Sequence, residues 1–178
     1  MKDRVFFDSN IIIYLFDKSE KDKHELVKYL FYKNLQENIS YISTQVINEF
    51  IVIASQKIKS PLSLEEIKKR IDFLNTVLNI NIIGLNTCYK AVDLRLRHKY
   101  SYWDSLIIAS ALENDCSILY TEDLQHEQVI EGKLKIINPF EKQGQRRNKR
   151  TFPILYFTPH AYRPDRTNIP DSNRLHNG

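Results

Sequence analysis

The sequence predicts an α/β fold in three layers, with helices around a largely parallel central sheet. Two observations carry this. Short apolar runs of strand length alternate with longer stretches of helical periodicity, the pattern of a parallel sheet with helical crossovers. Four acids, Asp8, Glu49, Asp104 and Asp123, each fall at the edge of a strand or early in a helix. Positions of that kind can converge at one edge of an α/β sheet.

Residues 4–8 read as a short buried strand, Val5-Phe6-Phe7 closing on Asp8. Leu26, Val27, Leu30, Phe31 and Leu35 have helical spacing within residues 22–36. Residues 39–43 alternate as a strand. Residues 45–57 are apolar on most faces and too long for an ordinary strand, so a buried helix is expected. Residues 60–63 break the pattern at Pro61. Leu64, Ile67, Ile71, Leu74 and Leu78 then step by three and four, the clearest amphipathic helix of the chain. A strand is expected at 81–85, a helix capped by Thr87 and running to about Tyr100, and a second helix over 102–113. Strands at 116–121 and 135–137 complete the sheet. No internal repeat is present.

The chain has 178 residues, enough for one domain with a substantial core. It is 42% hydrophobic and 27% charged, and no apolar run approaches the ~18 residues of a membrane span. Residue 4 already enters a strand pattern, and the layout of a secretory signal is missing. Cys88 and Cys116 lack metal-ligand spacing and read as reduced thiols, so a cytoplasmic setting is expected. The net charge of +4 is uneven: residues 141–178 hold eight basic and three acidic side chains, against 18 and 19 in residues 1–140. Any attraction for nucleic acid in the body must therefore be local to one surface. The chain is expected to divide into a domain over 1–140 and a basic, Pro-containing, poorly structured extension over 141–178, in which only residues 152–157 are apolar enough to dock as a strand.

Converging carboxylates repel one another unless cations lie between them, so the four acids point to Mg²⁺ or Mn²⁺. Each also has a structural explanation. Asp8 can cap the following helix. Glu49 interrupts a nearly continuous apolar helix, where a carboxylate is costly unless paired. It can also be an ordinary exposed helical Glu. Ser101 and Asp104 have capping-box spacing. Glu122 and Asp123 are adjacent, and either can cap the segment leading to Val129 and Ile130. Common placement is what gives the set its weight.

The chain resembles the PIN-domain ribonucleases, in particular the toxins of VapBC-type toxin–antitoxin pairs. The matching stretches are Phe7-Asp8-Ser9-Asn10 with Ile11 to Tyr14, Ser43 to Phe50, Ser101 to Ala111, Leu119 to His126, and Ile137-Asn138-Pro139-Phe140. The resemblance implies a PIN-like, Rossmann-like fold with Asp8, Glu49, Asp104 and Asp123 as metal ligands, choosing Asp123 over Glu122. Asn10 and Thr44 match positions bordering the family's site. It further implies a metal-dependent ribonuclease, a small antitoxin as partner and a homodimer. Glu127 departs from the pattern, since such toxins commonly carry Gly after the Leu124-Gln125-His126 run.

For contact with RNA, the basic set Lys90, Arg95, Arg97, His98 and Lys99 leads into the Asp104 segment, although a solvated helix face explains it equally well. Two other functions compete. A phosphatase of the haloacid dehalogenase type also starts from an Asp after the first strand, but usually wants a second Asp where this chain has Asn10. A catalytically silent binding module would keep the fold for a partner alone.

Overall fold

The computed structural model describes residues 2–141, and the expected extension, with its candidate strand at 152–157, lies beyond them apart from Glu141. Along these residues the chain runs β1 (Arg4–Phe7), α1 (Ser9–Phe16), α2 (Lys21–Glu37), β2 (Ile39–Ser43), α3 (Thr44–Gln56), α4 (Leu64–Val77), β3 (Asn79–Asn81), α5 (Leu85–His98), α6 (Tyr102–Glu113), β4 (Ile118–Tyr120), β5 (Val129–Ile130) and β6 (Leu134–Ile137). The six strands form one sheet in the order β3-β2-β1-β4-β6-β5. All neighbours are parallel except β5, which runs antiparallel to β6. The chain builds outward from β1 through β2 to β3, then returns to the other side of β1 with β4. The order reverses between β1 and β4, and ligands of open α/β sheets bind beyond the carboxyl ends of strands at such a point.

The core explains the layers. Side chains alternate across a strand, yet Val5, Phe6 and Phe7 are all fully buried, so both faces of β1 are covered. Phe7 meets Phe31 of α2 and Tyr120 of β4, and Phe31, Phe16, Phe50 and Phe73 extend an aromatic cluster through α1, α3 and α4. Helix α3 buries Val46, Phe50 and Ala54, spaced by one turn. Helix α4 starts with a complete capping box, the Ser63 hydroxyl accepting from the Glu66 N–H while Glu66 accepts from the Ser63 N–H. Helix α6 buries every residue from Ser105 to Ala111. Cys88 and Cys116 form no disulfide, and burial pushes the Cys116 thiol up to about 12, leaving an unreactive core thiol.

Three expectations shift. The strand foreseen at 81–85 is Asn79–Asn81, in register with Tyr41 to Ser43 of β2. Of the apolar residues in that stretch, Ile82 and Leu85 are exposed and Ile83 is half-buried against the core. Helix α5 consequently begins at Leu85 with Gly84 as its N-cap, and Thr87 reaches back from inside the first turn to the Gly84 N–H. The two-residue β5 adds an antiparallel edge that periodicity is too short to reveal.

Candidate active site

The carboxyl ends of β1 and β4 are adjacent, with Phe7 paired to Tyr120, and this register brings Asp8 beside Thr121. Asp8 is the N-cap of α1 and takes the Ser9 N–H at 2.6 Å on Oδ1. Its other oxygen, Oδ2, accepts from the Thr121 hydroxyl at 2.7 Å. The Thr121 oxygen in turn accepts from the Asp123 N–H at 3.1 Å and the Asn10 side-chain amide at 3.3 Å. Asn10 Nδ2 also donates to Asp123 Oδ2 at 2.9 Å. Asp8, Asn10, Thr121 and Asp123 thus form one network across the switch point. The structural role foreseen for Asp8 as a helix cap holds alongside its place there.

Asp8 is only 6% exposed, and burial raises its carboxyl from 3.8 to about 6 against the opposing hydrogen bonds from Thr121 and Ser9. The charges of Asp123 and Glu49 push it further in the same direction. Three of the four acids therefore lie within electrostatic reach of one another.

Glu49 and Asp104 are held differently. Glu49, half-buried on α3, accepts from the Gln45 amide one turn earlier at 2.9 Å. The same Gln45 Nε2 bonds the Trp103 carbonyl at 3.3 Å and ties α3 to the start of α6. Asp104 lies in the first turn of α6, where its N–H donates to the Ser101 hydroxyl and that hydroxyl donates to its Oδ2 at 2.6 Å. The capping-box spacing is thus used, with the carboxylate turned to the Ser101 hydroxyl.

Glu122 is engaged elsewhere than in the Asp8 network. Its carboxylate takes the Tyr14 hydroxyl at 2.6 Å and the Lys23 ammonium at 2.7 Å, and that ammonium lies over the Tyr14 and Phe140 rings. Thr44 borders the edge, but its hydroxyl accepts from the Ile83 N–H. Glu127 takes the left-handed conformation, φ +62°, at the position where Gly was expected, and its carboxylate pairs with Lys135. Among the basic residues, Lys90 pairs with Glu113, while Arg97 and His98 share Glu131 of the β5–β6 turn. Arg95 and Lys99 are exposed and make no ion pair among the described residues.

Sequence reasoning overlooked Thr121 and Gln45. Thr121 could have been found as the hydroxyl closing the strand beside β1, and Gln45 as the residue one helical turn before Glu49.

The donor set suits a divalent cation: hard carboxylate oxygens, with Asn10 Oδ1 buried beside them and lacking a hydrogen-bond partner among the described residues. As they lie, no group of three His, Cys, Asp or Glu side chains among the described residues is arranged to hold an ion. Glu49 and Asp104 would have to turn from Gln45 and Ser101 to complete the set.

A mostly parallel sheet with this acidic edge defines a class, and the sequence bears it out: residues 5–131 match the PIN domain, and the chain belongs to that family. PIN domains are typically nucleases and typically bind divalent metal. Solved structures with the same fold include the Mycobacterium tuberculosis toxin VapC20, described as cleaving the sarcin–ricin loop. It is 16% identical, with a TM-score of 0.56, and the match covers 67% of this chain and 89% of that one. A toxin–antitoxin complex from Klebsiella pneumoniae is 23% identical with a TM-score of 0.57, covering 77% and 98% of the two chains. VapBC2 from Rickettsia felis, solved on a promoter DNA fragment, is 18% identical with a TM-score of 0.55 and coverage of 76% and 99%. A comparison with curated proteins finds no match. Among the described residues, no helix is long and apolar enough to cross a membrane.

Proposed function

We propose that the protein is a metal-dependent ribonuclease, the toxin of a type II toxin–antitoxin pair, with Asp8, Glu49, Asp104 and Asp123 as its metal-holding acids. The observation that carries the proposal is the network joining Asp8 to Asp123 through Thr121 and Asn10 at the switch point of the sheet. A bound Mg²⁺ or Mn²⁺ would supply Lewis acidity, lowering the pKa of water and offsetting charge on the phosphodiester. The chain's own part is positional. Thr121 and the Ser9 N–H orient the two oxygens of Asp8, and Asn10 orients Asp123. Glu49 and Asp104 supply further carboxylate from α3 and α6. The partner proposed is a small antitoxin covering this edge, with a second copy of the chain as a homodimer.

A catalytically silent binding module is the second reading. The engagement of Glu49 by Gln45 and of Asp104 by Ser101 favours it. The phosphatase reading loses ground, because Asn10 spends its amide on Asp123 and Thr121.

The test is cleavage of RNA by the purified protein with Mn²⁺, with EDTA, and in the Asp8→Asn variant prepared identically. Cleavage that needs the metal and disappears in the variant supports the ribonuclease. Cleavage persisting in EDTA or in the variant overturns it, and metal binding without cleavage favours the silent module.

A further inference from the structure

A groove of about 530 Å³ opens directly beside the acidic edge, between α3 and α6. Its walls include Glu49, Asn48, Val52, Lys57, Ile83 and Trp103. The volume is within the roughly 300–1,000 Å³ of small-ligand sites. Its composition is mixed in an informative way. Val52 and Ile83 present apolar surface, Asn48 an exposed amide, and Lys57 a cation with no ion pair among the described residues. Trp103 is the chain's single tryptophan and is 61% exposed, although a large indole is ordinarily well covered.

The indole is placed by its neighbours. The Trp103 carbonyl is held by Gln45 Nε2, and its ring meets that of Tyr102 at 5.5 Å. Gln45 itself is only 6% exposed and lines the groove, and its Oε1 lacks a partner among the described residues. The amide cannot simply be reversed, because its nitrogen already faces two acceptors, Glu49 Oε1 and the Trp103 carbonyl.

We infer that this groove is a nucleotide subsite, in which one unpaired base next to the scissile phosphate stacks on Trp103 while Lys57 meets a flanking phosphate. The inference rests on the ribonuclease reading and names the residues that grip the nucleotide beside that site, Trp103 and Lys57. Three features favour a nucleotide over a protein side chain. The groove is continuous with the candidate site, since Glu49 belongs to both and Trp103 precedes Asp104. Its charges suit a phosphodiester, with carboxylates for a metal at one end and an ammonium at the other. Lys57, the C-cap of α3, follows Glu49 by eight residues, about 12 Å along the helix axis. That leaves room for a base between them. An aromatic face beside a cation is also how single strands are gripped without regard to sequence.

The single tryptophan makes the test specific. Full-length Asp8→Asn protein in EDTA, where RNA stays intact, is titrated with pentaadenylate while tryptophan emission is followed. Binding is read separately from the anisotropy of the labelled oligonucleotide. Saturable quenching is expected, with affinity falling severalfold in Lys57→Ala and about tenfold in Trp103→Ala. In the otherwise wild-type enzyme, the Trp103→Ala loss falls mainly on KM for a single-stranded substrate. Both residues are exposed or at a helix end, and unchanged thermal melting certifies that the variants are folded.

Anisotropy that reports binding without quenching overturns the subsite while leaving the ribonuclease intact. Emission that varies with protein concentration but not with pentaadenylate also overturns it, and assigns the groove to contact between two copies. Quenching by pentaadenylate in a protein that never cleaves RNA keeps the subsite as a binding groove and sinks the ribonuclease instead.

Discussion

The two halves of the acidic edge are built to different standards. Asp8 and Asp123 belong to a network at the carboxyl ends of β1 and β4, in which Asp8 is buried and accepts three hydrogen bonds while Asp123 is exposed. Glu49 and Asp104 ride on helices, are partly exposed, and turn their carboxylates to Gln45 and Ser101. Asp8, at the end of β1, is held by the sheet and the start of α1, while Asp123, exposed in the segment after β4, is held by its bonds to Thr121 and Asn10. Under the proposed function, Glu49 and Asp104 would have to turn from Gln45 and Ser101 to reach a metal, so Asp8 and Asp123 would act as the anchor and the helix-borne pair as the closure.

The largest effect expected from this difference is at Asp8. Asp8→Asn should lower RNA cleavage at least about a thousandfold, measured as kcat/KM, because it removes anchor charge that nothing else replaces. The same change should stabilise the metal-free protein. The folded pKa of Asp8 is raised, from 3.8 to about 6, so its contribution is fully present below the unfolded value and lost as pH rises through the folded one. The loss is at most roughly 3 kcal/mol. Thermal melts in EDTA should therefore show wild-type stability falling between pH 4 and 6 relative to Asp8→Asn. Parallel pH profiles for the two proteins would show that Asp8 is not strained.

Next in size is Thr121→Val, which strips the hydroxyl from Asp8 and leaves the Asp123 N–H and the Asn10 amide one acceptor short. Metal affinity or activity should fall about 10- to 100-fold, the usual range for partners that orient ligands. Chemical denaturation should show a stability loss of about 1–3 kcal/mol. Gln45→Leu probes the helix-borne half. It releases Glu49 and the Trp103 carbonyl, and since Glu49 must leave Gln45 to reach a metal, Mn²⁺ affinity should hold or rise, with no reduction comparable to that of Thr121→Val. A larger one would reverse the ranking of the two halves.

The smallest effect belongs to neither half. Glu127→Gly relieves the cost of about 1 kcal/mol that a left-handed backbone imposes on a residue with a side chain, offset in part by the lost pairing with Lys135. A slightly higher melting temperature and unchanged cleavage are expected. Reduced cleavage would mean that Glu127 contributes to the site despite facing Lys135.

What the sequence made legible follows the same division. Asp8 closes an apolar strand, and the position of a strand end is written in the run before it. The buried face of α4 is written in the spacing of Ile67 and Leu74. Register was not legible, and register is what sets Thr121 beside Asp8 from a distance of 113 residues. Isolated chemistry was equally silent about Glu122 and Asp123. Only the family pattern separated them, and the structure gives Glu122 to Tyr14 and Lys23. The β3 boundary slipped because Ile82 and Leu85 are apolar yet exposed, so local pattern spoke for burial that the fold does not provide. The left-handed backbone at Glu127 has no local signal, since Glu is not a residue that advertises it.

Calorimetric titration of Mn²⁺ at pH 7 into the wild type, Asp8→Asn, Asp123→Asn, Glu49→Gln and Asp104→Asn tests the anchor-and-closure arrangement most directly. The expected result is binding by the wild type, its loss in Asp8→Asn and Asp123→Asn, and weakened but measurable binding in Glu49→Gln and Asp104→Asn. Equal losses in all four variants, or no binding by the wild type, would contradict it.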